Sequence, residues 1–63
     1  MIKENRIKNN YTQEQLSEIL GMSTRQLQRI EKNESETRIK TLKKIIDVLK
    51  IPDKEIIEYI HKM

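Results

Sequence analysis

The chain contains no cysteine, phenylalanine or tryptophan, and only one glycine, one proline and one histidine among its 63 residues. Without cysteine, neither a disulfide nor a thiolate–metal centre can staple the fold. A lone histidine, His61, has no nucleophile or metal partner in the sequence. One glycine leaves no phosphate-cradling glycine loop. No apolar run approaches the roughly 18 residues that a membrane span needs. The opening MIKENRIKNN lacks the apolar core of a signal peptide. No stretch of any length alternates apolar and polar residues as a strand does. Glu14 and Glu18 share a helix face, but paired carboxylates without a shielded partner make a solvated surface, not an acid–base site. These absences argue against an enzyme, a metalloprotein and a membrane protein, and no cofactor is expected. The expected location is cytoplasmic.

The apolar supply is aliphatic: 11 Ile, 5 Leu, 1 Val, 3 Met and 2 Tyr. A chain this short buries only about 60% of its unfolded surface. One small core built by packed helices is the outcome such a composition supports. The formal charge is +3. Residues 1–50 hold 11 Lys and Arg against 7 Asp and Glu, whereas residues 51–63 hold 2 against 3. The basic surplus therefore lies in the first 50 residues, where an anionic partner would bind.

Helical spacing recurs throughout and predicts an all-α fold of five helices in one domain over residues 1–63. The first runs from about Ile2 to Asn9 and ends at Asn9-Asn10, because asparagine tolerates the left-handed conformation. The second is opened by Thr12, with Gln15 closing a capping box and Tyr11 and Leu16 at staple spacing. Its predicted buried stripe is Leu16, Ile19 and Leu20. Gly21 stops it, since glycine reaches positive φ without penalty. The third repeats the device, with Ser23 as cap, Gln26 closing the box, and Met22 and Leu27 as staple. Leu27 and Ile30 point one way; Arg25, Gln28, Arg29 and Lys32 point the other, with Thr24 at the margin. The fourth spans about Ile39 to Leu49, with Ile39, Leu42, Ile45, Ile46 and Leu49 as its apolar face. Pro52 breaks the chain there and suits the first turn of a fifth helix over 52–63, whose positive end Asp53 and Glu55 complement. Ile56, Ile57, Ile60 and Met63 stripe that helix. Two roles fit the stripe: closing the core, or forming a dimer seam through Ile57, Tyr59 or Ile60.

Residues 12–32 thus hold two capped helices joined by a tight turn, Gly21-Met22-Ser23, which is the arrangement of a helix-turn-helix. Shared packing of Leu16, Ile19 and Leu20 with Leu27 and Ile30 leaves the outer face of the second of these helices free for a major groove about 12 Å wide. Arginine can donate twice to guanine, glutamine can make a two-point contact with adenine, and threonine offers a hydroxyl or a methyl group. A basic helix face alone is more often a solvated surface; the preceding capped helix, tight turn and apolar registration shift the balance here.

Three stretches, YTQEQLSEILGMS, RIEKN and IKTLKKIIDVLKI, make the chain resemble the lambda-repressor-like, Cro/CI-type (Xre-type) helix-turn-helix family over about Ile2 to Ile51. The resemblance implies roles for individual residues. Gln13 matches a phosphate-contacting position. Ser23, Thr24, Arg25, Gln28 and Arg29 match positions that touch bases and nearby phosphates. Arg38 and Lys40 match a region that approaches the DNA backbone or minor groove. Arg6 and Glu31 match a partly buried salt bridge between the first and third helices. The helical wheel independently sets Glu31 about 40° from Leu27, at the border of the core, where a charge wants a partner.

The chain also departs from the family pattern. Asn33 stands where many relatives have glycine, and is the next-best left-handed residue. Glu34 and Glu36 replace a basic loop and would repel phosphates if that loop faced a duplex. Asn5 replaces an apolar residue, with weaker packing of the first helix expected. The leading expectation is a sequence-specific double-stranded DNA-binding transcriptional regulator, a repressor acting as a homodimer on a near-palindromic operator, without a small-molecule effector site. The alternatives are a protein-interaction module of antitoxin-like or anti-repressor type, favoured by the acidic loop, and the DNA-binding end of a longer regulator.

Overall fold

The computed structural model describes residues 1–34 and 37–62. The expectations for Glu36 and Met63 lie outside the described residues. The five helices are α1 (Ile2–Lys8), α2 (Gln13–Leu20), α3 (Thr24–Lys32), α4 (Ile39–Leu49) and α5 (Asp53–Lys62).

The caps are where the sequence signals place them. Thr12 Oγ1 accepts from the Gln15 backbone N–H at 3.1 Å, and the Gln15 side chain accepts from the Thr12 N–H at 2.9 Å. Ser23 and Gln26 repeat this at 3.1 and 3.3 Å. Each box satisfies two donors that a helix start would otherwise leave unpaired. Three helices end on a left-handed residue: Asn10 (φ 61°) after α1, Gly21 (φ 71°) after α2 and Lys50 (φ 52°) after α4. In each case the next N–H reaches back to a carbonyl in the last turn: Tyr11 to Arg6, Met22 to Ser17 and Ile51 to Ile46. This is the bond that satisfies orphan carbonyls at a helix end. Asn33 does not behave as its type predicts: with φ −140° and ψ 76° it ends α3 without a left-handed turn. Pro52 stands just before α5, and its carbonyl accepts from the Glu55 and Ile56 N–H groups at 3.0 and 3.2 Å.

Ile2, Leu16, Leu20, Leu27, Ile45, Leu49 and Ile51 form one core, flanked by Tyr11, Met22, Ile30, Leu42, Ile46, Val48 and Ile56. Four described members of the predicted apolar faces lie outside it: Ile19, Ile39, Ile57 and Ile60. Ile19 is 46% exposed, whereas Ser17 is buried. The buried arc of α2 is thus rotated toward Ser17, because α3 crosses there and brings Thr24 Oγ1 to 3.2 Å from Ser17 Oγ. Ile39 is 73% exposed, since it opens α4 about 90° away from the Leu42–Ile45–Leu49 direction. Among the described members of the predicted α5 stripe, Ile56 packs against the core, whereas Ile57 and Ile60 are more than half exposed.

The expected weakening at Asn5 is replaced by a set of hydrogen bonds. Asn5 is buried, and its Nδ2 donates to the Met1 carbonyl at 2.7 Å and to Glu55 Oε1 at 3.1 Å. A buried amide with its donors satisfied avoids the desolvation cost of an unpaired one. It also ties α1 to α5, a link that an apolar residue would not supply.

Candidate nucleic-acid interface

Leu27 is fully buried, so the opposite side of α3 faces outward. Ser23, Arg25, Gln28, Arg29 and Lys32 are exposed there. Thr24 is half-buried and spends its hydroxyl on Ser17. The ion pairs among the described residues are Met1–Glu4, Met1–Glu34 and Arg6–Glu31, so none engages a cation of α3. Among the described residues, no carboxylate forms a salt bridge with Arg25, Arg29 or Lys32.

Behind this face lies a hydrogen-bonded chain. Arg6 Nε donates to Glu31 Oε2 at 2.8 Å, and the two side chains are only 11% and 5% exposed. Arg6 Nη1 also donates to the Tyr11 carbonyl at 2.9 Å. Glu31 Oε1 accepts from Gln13 Nε2 at 3.1 Å, and Gln13 Oε1 accepts from Gln28 Nε2 at 3.3 Å. The contacts run from α1 through the end of α3 and the first residue of α2 to the exposed face of α3. Neither Gln13 contact is legible from spacing, because the partners lie 18 and 15 residues away. Lys44 adds a further link, donating to the Leu20 carbonyl at the end of α2 at 3.3 Å.

Arg38 and Lys40 are exposed at the start of α4, where the N-cap residue Arg38 makes no side-chain cap bond. A groove of about 450 Å³ separates this end from α3 and is lined by Gln26, Arg29, Ile30, Thr37, Arg38 and Thr41 among others. The buried Thr37 hydroxyl has no hydrogen-bond partner among the described residues.

Glu34 does not point its charge outward from the loop. Its Oε2 accepts from the Ile2 N–H at 2.8 Å and the Met1 amine at 3.2 Å, and its carbonyl accepts from the Tyr59 hydroxyl at 2.7 Å. The carboxylate thus caps the positive end of α1, where a negative charge is favoured. Burial raises the pKa of the Tyr59 hydroxyl, and the nearby Glu34 charge raises it further. Ile57 and Ile60 lie on exposed α5 surface, and Tyr59 is half-buried against Glu34.

Among the described residues, no group of three or more His, Cys, Asp or Glu could hold a metal ion. No described helix is long and apolar enough to cross a membrane. No curated protein and no solved structure matches the chain significantly. A family model described as helix-turn-helix matches residues 2–56. That match supports the Cro/CI-type (Xre-type) resemblance, and the family suggests a DNA-binding, regulatory role. Capped helices, a left-handed glycine between them and a match over most of the length agree: the chain belongs to the helix-turn-helix family.

Proposed function

We propose that the chain is a sequence-specific double-stranded DNA-binding transcriptional regulator, a repressor, that reads the major groove with α3. One observation carries the reading: Arg25, Gln28 and Arg29 stand together on the exposed face of a helix whose other face, at Leu27, is fully buried. Two exposed guanidinium groups about one helical turn apart, in no ion pair among the described residues, suit guanine edges or phosphates. Ser23 and Thr24 open the same helix near the backbone, and Gln13 begins the helix beside it. The start of α4, where Arg38 makes no side-chain cap, brings first-turn backbone N–H groups beside Arg38 and Lys40, which suits a phosphate. Repression follows from occupying a promoter and excluding polymerase.

Exposed Ile57 and Ile60 on α5, beside Tyr59, supply a seam for a homodimer on a near-palindromic operator. Half-sites would then lie about 34–36 Å apart, one helical turn. The inward turn of Glu34 removes one of the two loop charges that favoured a protein-interaction module.

Selection of bound sites from random duplex DNA tests the reading. The expected result is a short two-fold-related consensus, bound with an affinity that falls steeply as salt rises. No enrichment at low salt would sink the reading in favour of an interaction module.

A further inference from the structure

We propose that Gln13 is a positioning residue that makes Gln28 an adenine reader, by passing outward a hydrogen-bond polarity set at Glu31. The inference rests on the DNA-binding reading above. The Glu31 carboxylate, paired with Arg6, is an acceptor only. Gln13 must therefore turn its NH₂ toward Glu31, where Nε2 stands 3.1 Å from Oε1. Its own carbonyl oxygen then faces away and can be met only by a donor. Gln28 supplies that donor through Nε2, at 3.3 Å. The amide direction at Gln28, normally a free choice between two flips, is thereby decided by a carboxylate on the next turn of its own helix, through a side chain of α2.

The consequence is chemical. With one N–H committed to Gln13, Gln28 retains one N–H and its Oε1 on the exposed face of α3. A donor beside an acceptor matches adenine, which presents N7 as acceptor and N6–H₂ as donor in the major groove. Guanine presents two acceptors, N7 and O6, and would set one of them against Oε1. A glutamine free to rotate could turn both N–H groups to guanine; the held one cannot. Gln13 thus acts on specificity through Gln28, without itself touching the base.

The test compares sites selected from random duplexes by the unaltered chain and by Gln28→Ala, Gln13→Met and Gln13→Glu, each at a temperature where melting shows it folded. The unaltered chain is expected to enrich adenine at one position per half-site, and Gln28→Ala to abolish that enrichment. Gln13→Met keeps the length but lacks the acceptor, so the adenine-over-guanine ratio at that position should fall about fivefold or more. Gln13→Glu loses the donor to Glu31 and sets a second carboxylate against it, so the side chain swings away from Gln28; the ratio should fall as in Gln13→Met, while the added negative charge weakens binding to every sequence. Should Gln13→Met not fold, Gln13→Asn, one methylene too short to span both partners, is read in its place with the same expectation. Equal weakening on all four bases with the ratio unchanged would make Gln13 a phosphate contact or structural support and overturn the proposal. So would an unaltered chain whose selected site has no adenine dependent on Gln28. An unaltered chain that selects no site removes the DNA-binding reading itself, a result separate from either of these.

Discussion

Arg6 of α1 and Glu31 of α3 meet at 2.8 Å across 25 residues of sequence, with both side chains nearly out of solvent. The pair joins the first helix to the far end of the third, and Gln13 hangs from its outer oxygen. Removing one member leaves the other as an uncompensated buried charge, which costs more than the pair contributes net. Arg6→Ala or Glu31→Ala should therefore lower unfolding free energy by about 3–5 kcal/mol. That loss is large against a total of about 5 kcal/mol for a marginal domain. The double replacement Arg6→Met/Glu31→Met should recover much of it. Urea denaturation of the three variants is the measurement; a double variant no more stable than the singles would contradict this account.

Helix ends provide a second, opposite-signed pair of expectations. Gly21 adopts φ 71° in open space, with nothing within 4 Å of the position a Cβ would take. A Gly21→Ala change meets no clash, so its cost is the backbone alone, about 1–2 kcal/mol. Lys50 adopts a similar conformation without being glycine. Lys50→Gly relieves that strain at some cost in unfolded-chain entropy and should stabilise by about 0.5–1 kcal/mol. Thermal melts that move in the same direction for both variants would show that φ is not what governs these sites.

Base reading and phosphate binding separate by variant. Arg29→Ala should cost about 1–3 kcal/mol on a selected site and relax preference at one base pair. Arg38→Ala should weaken binding to all sequences alike and reduce the slope of log affinity against log salt by about 1. Fluorescence anisotropy with selected and scrambled duplexes over a salt series distinguishes them. Equal losses for Arg29→Ala on both duplexes would demote it to a phosphate contact.

Alkaline pH reports on the Tyr59–Glu34 contact. Burial, then the Glu34 charge, raises the pKa of the Tyr59 hydroxyl above its ordinary value of about 10. The folded chain therefore holds this proton at a pH where the unfolded chain releases it. The resulting stabilisation is complete below about pH 10 and is lost as pH climbs through the raised folded-state value. Tyr59→Phe should remove this component, so the difference in stability between the two chains should shrink above pH 10. A difference that stays constant from pH 8 to 11 would show that the hydroxyl does not titrate differently in the two states.

The α5 seam is checked by light scattering. The unaltered chain is expected to dimerise with rising concentration, and Ile60→Lys to remain monomeric, because a charge at an exposed apolar position blocks burial against a mate. Identical masses for both chains at all concentrations would remove the seam.

Much of the fold was legible because its signals are local. Both capping boxes, the stop at Gly21, the left-handed Asn10 and the break before Pro52 depend on residues within one turn of each other. A helix start has the same unpaired donors wherever it sits. Face assignment was less secure. Ile19 belongs to the apolar stripe by spacing, yet Ser17 took the buried place, since the line along which α3 crosses α2 chooses which residues are covered. Ile57 and Ile60 were left outside for the same reason: α5 rests on the domain through Ile56, Tyr59 and Glu55.

By itself, then, the sequence determined five helices, their starts and most of their ends, and a basic outer face on the third. It also set Glu31 at the border of the core. Only the tertiary structure decided where Glu34 turns its charge, how Asn5 is satisfied, and that Gln13 joins Glu31 to Gln28. Those contacts link residues 15 to 50 positions apart. Helical periodicity describes one helix at a time, whereas a hydrogen bond between helices forms only once packing has brought a particular donor to a particular acceptor.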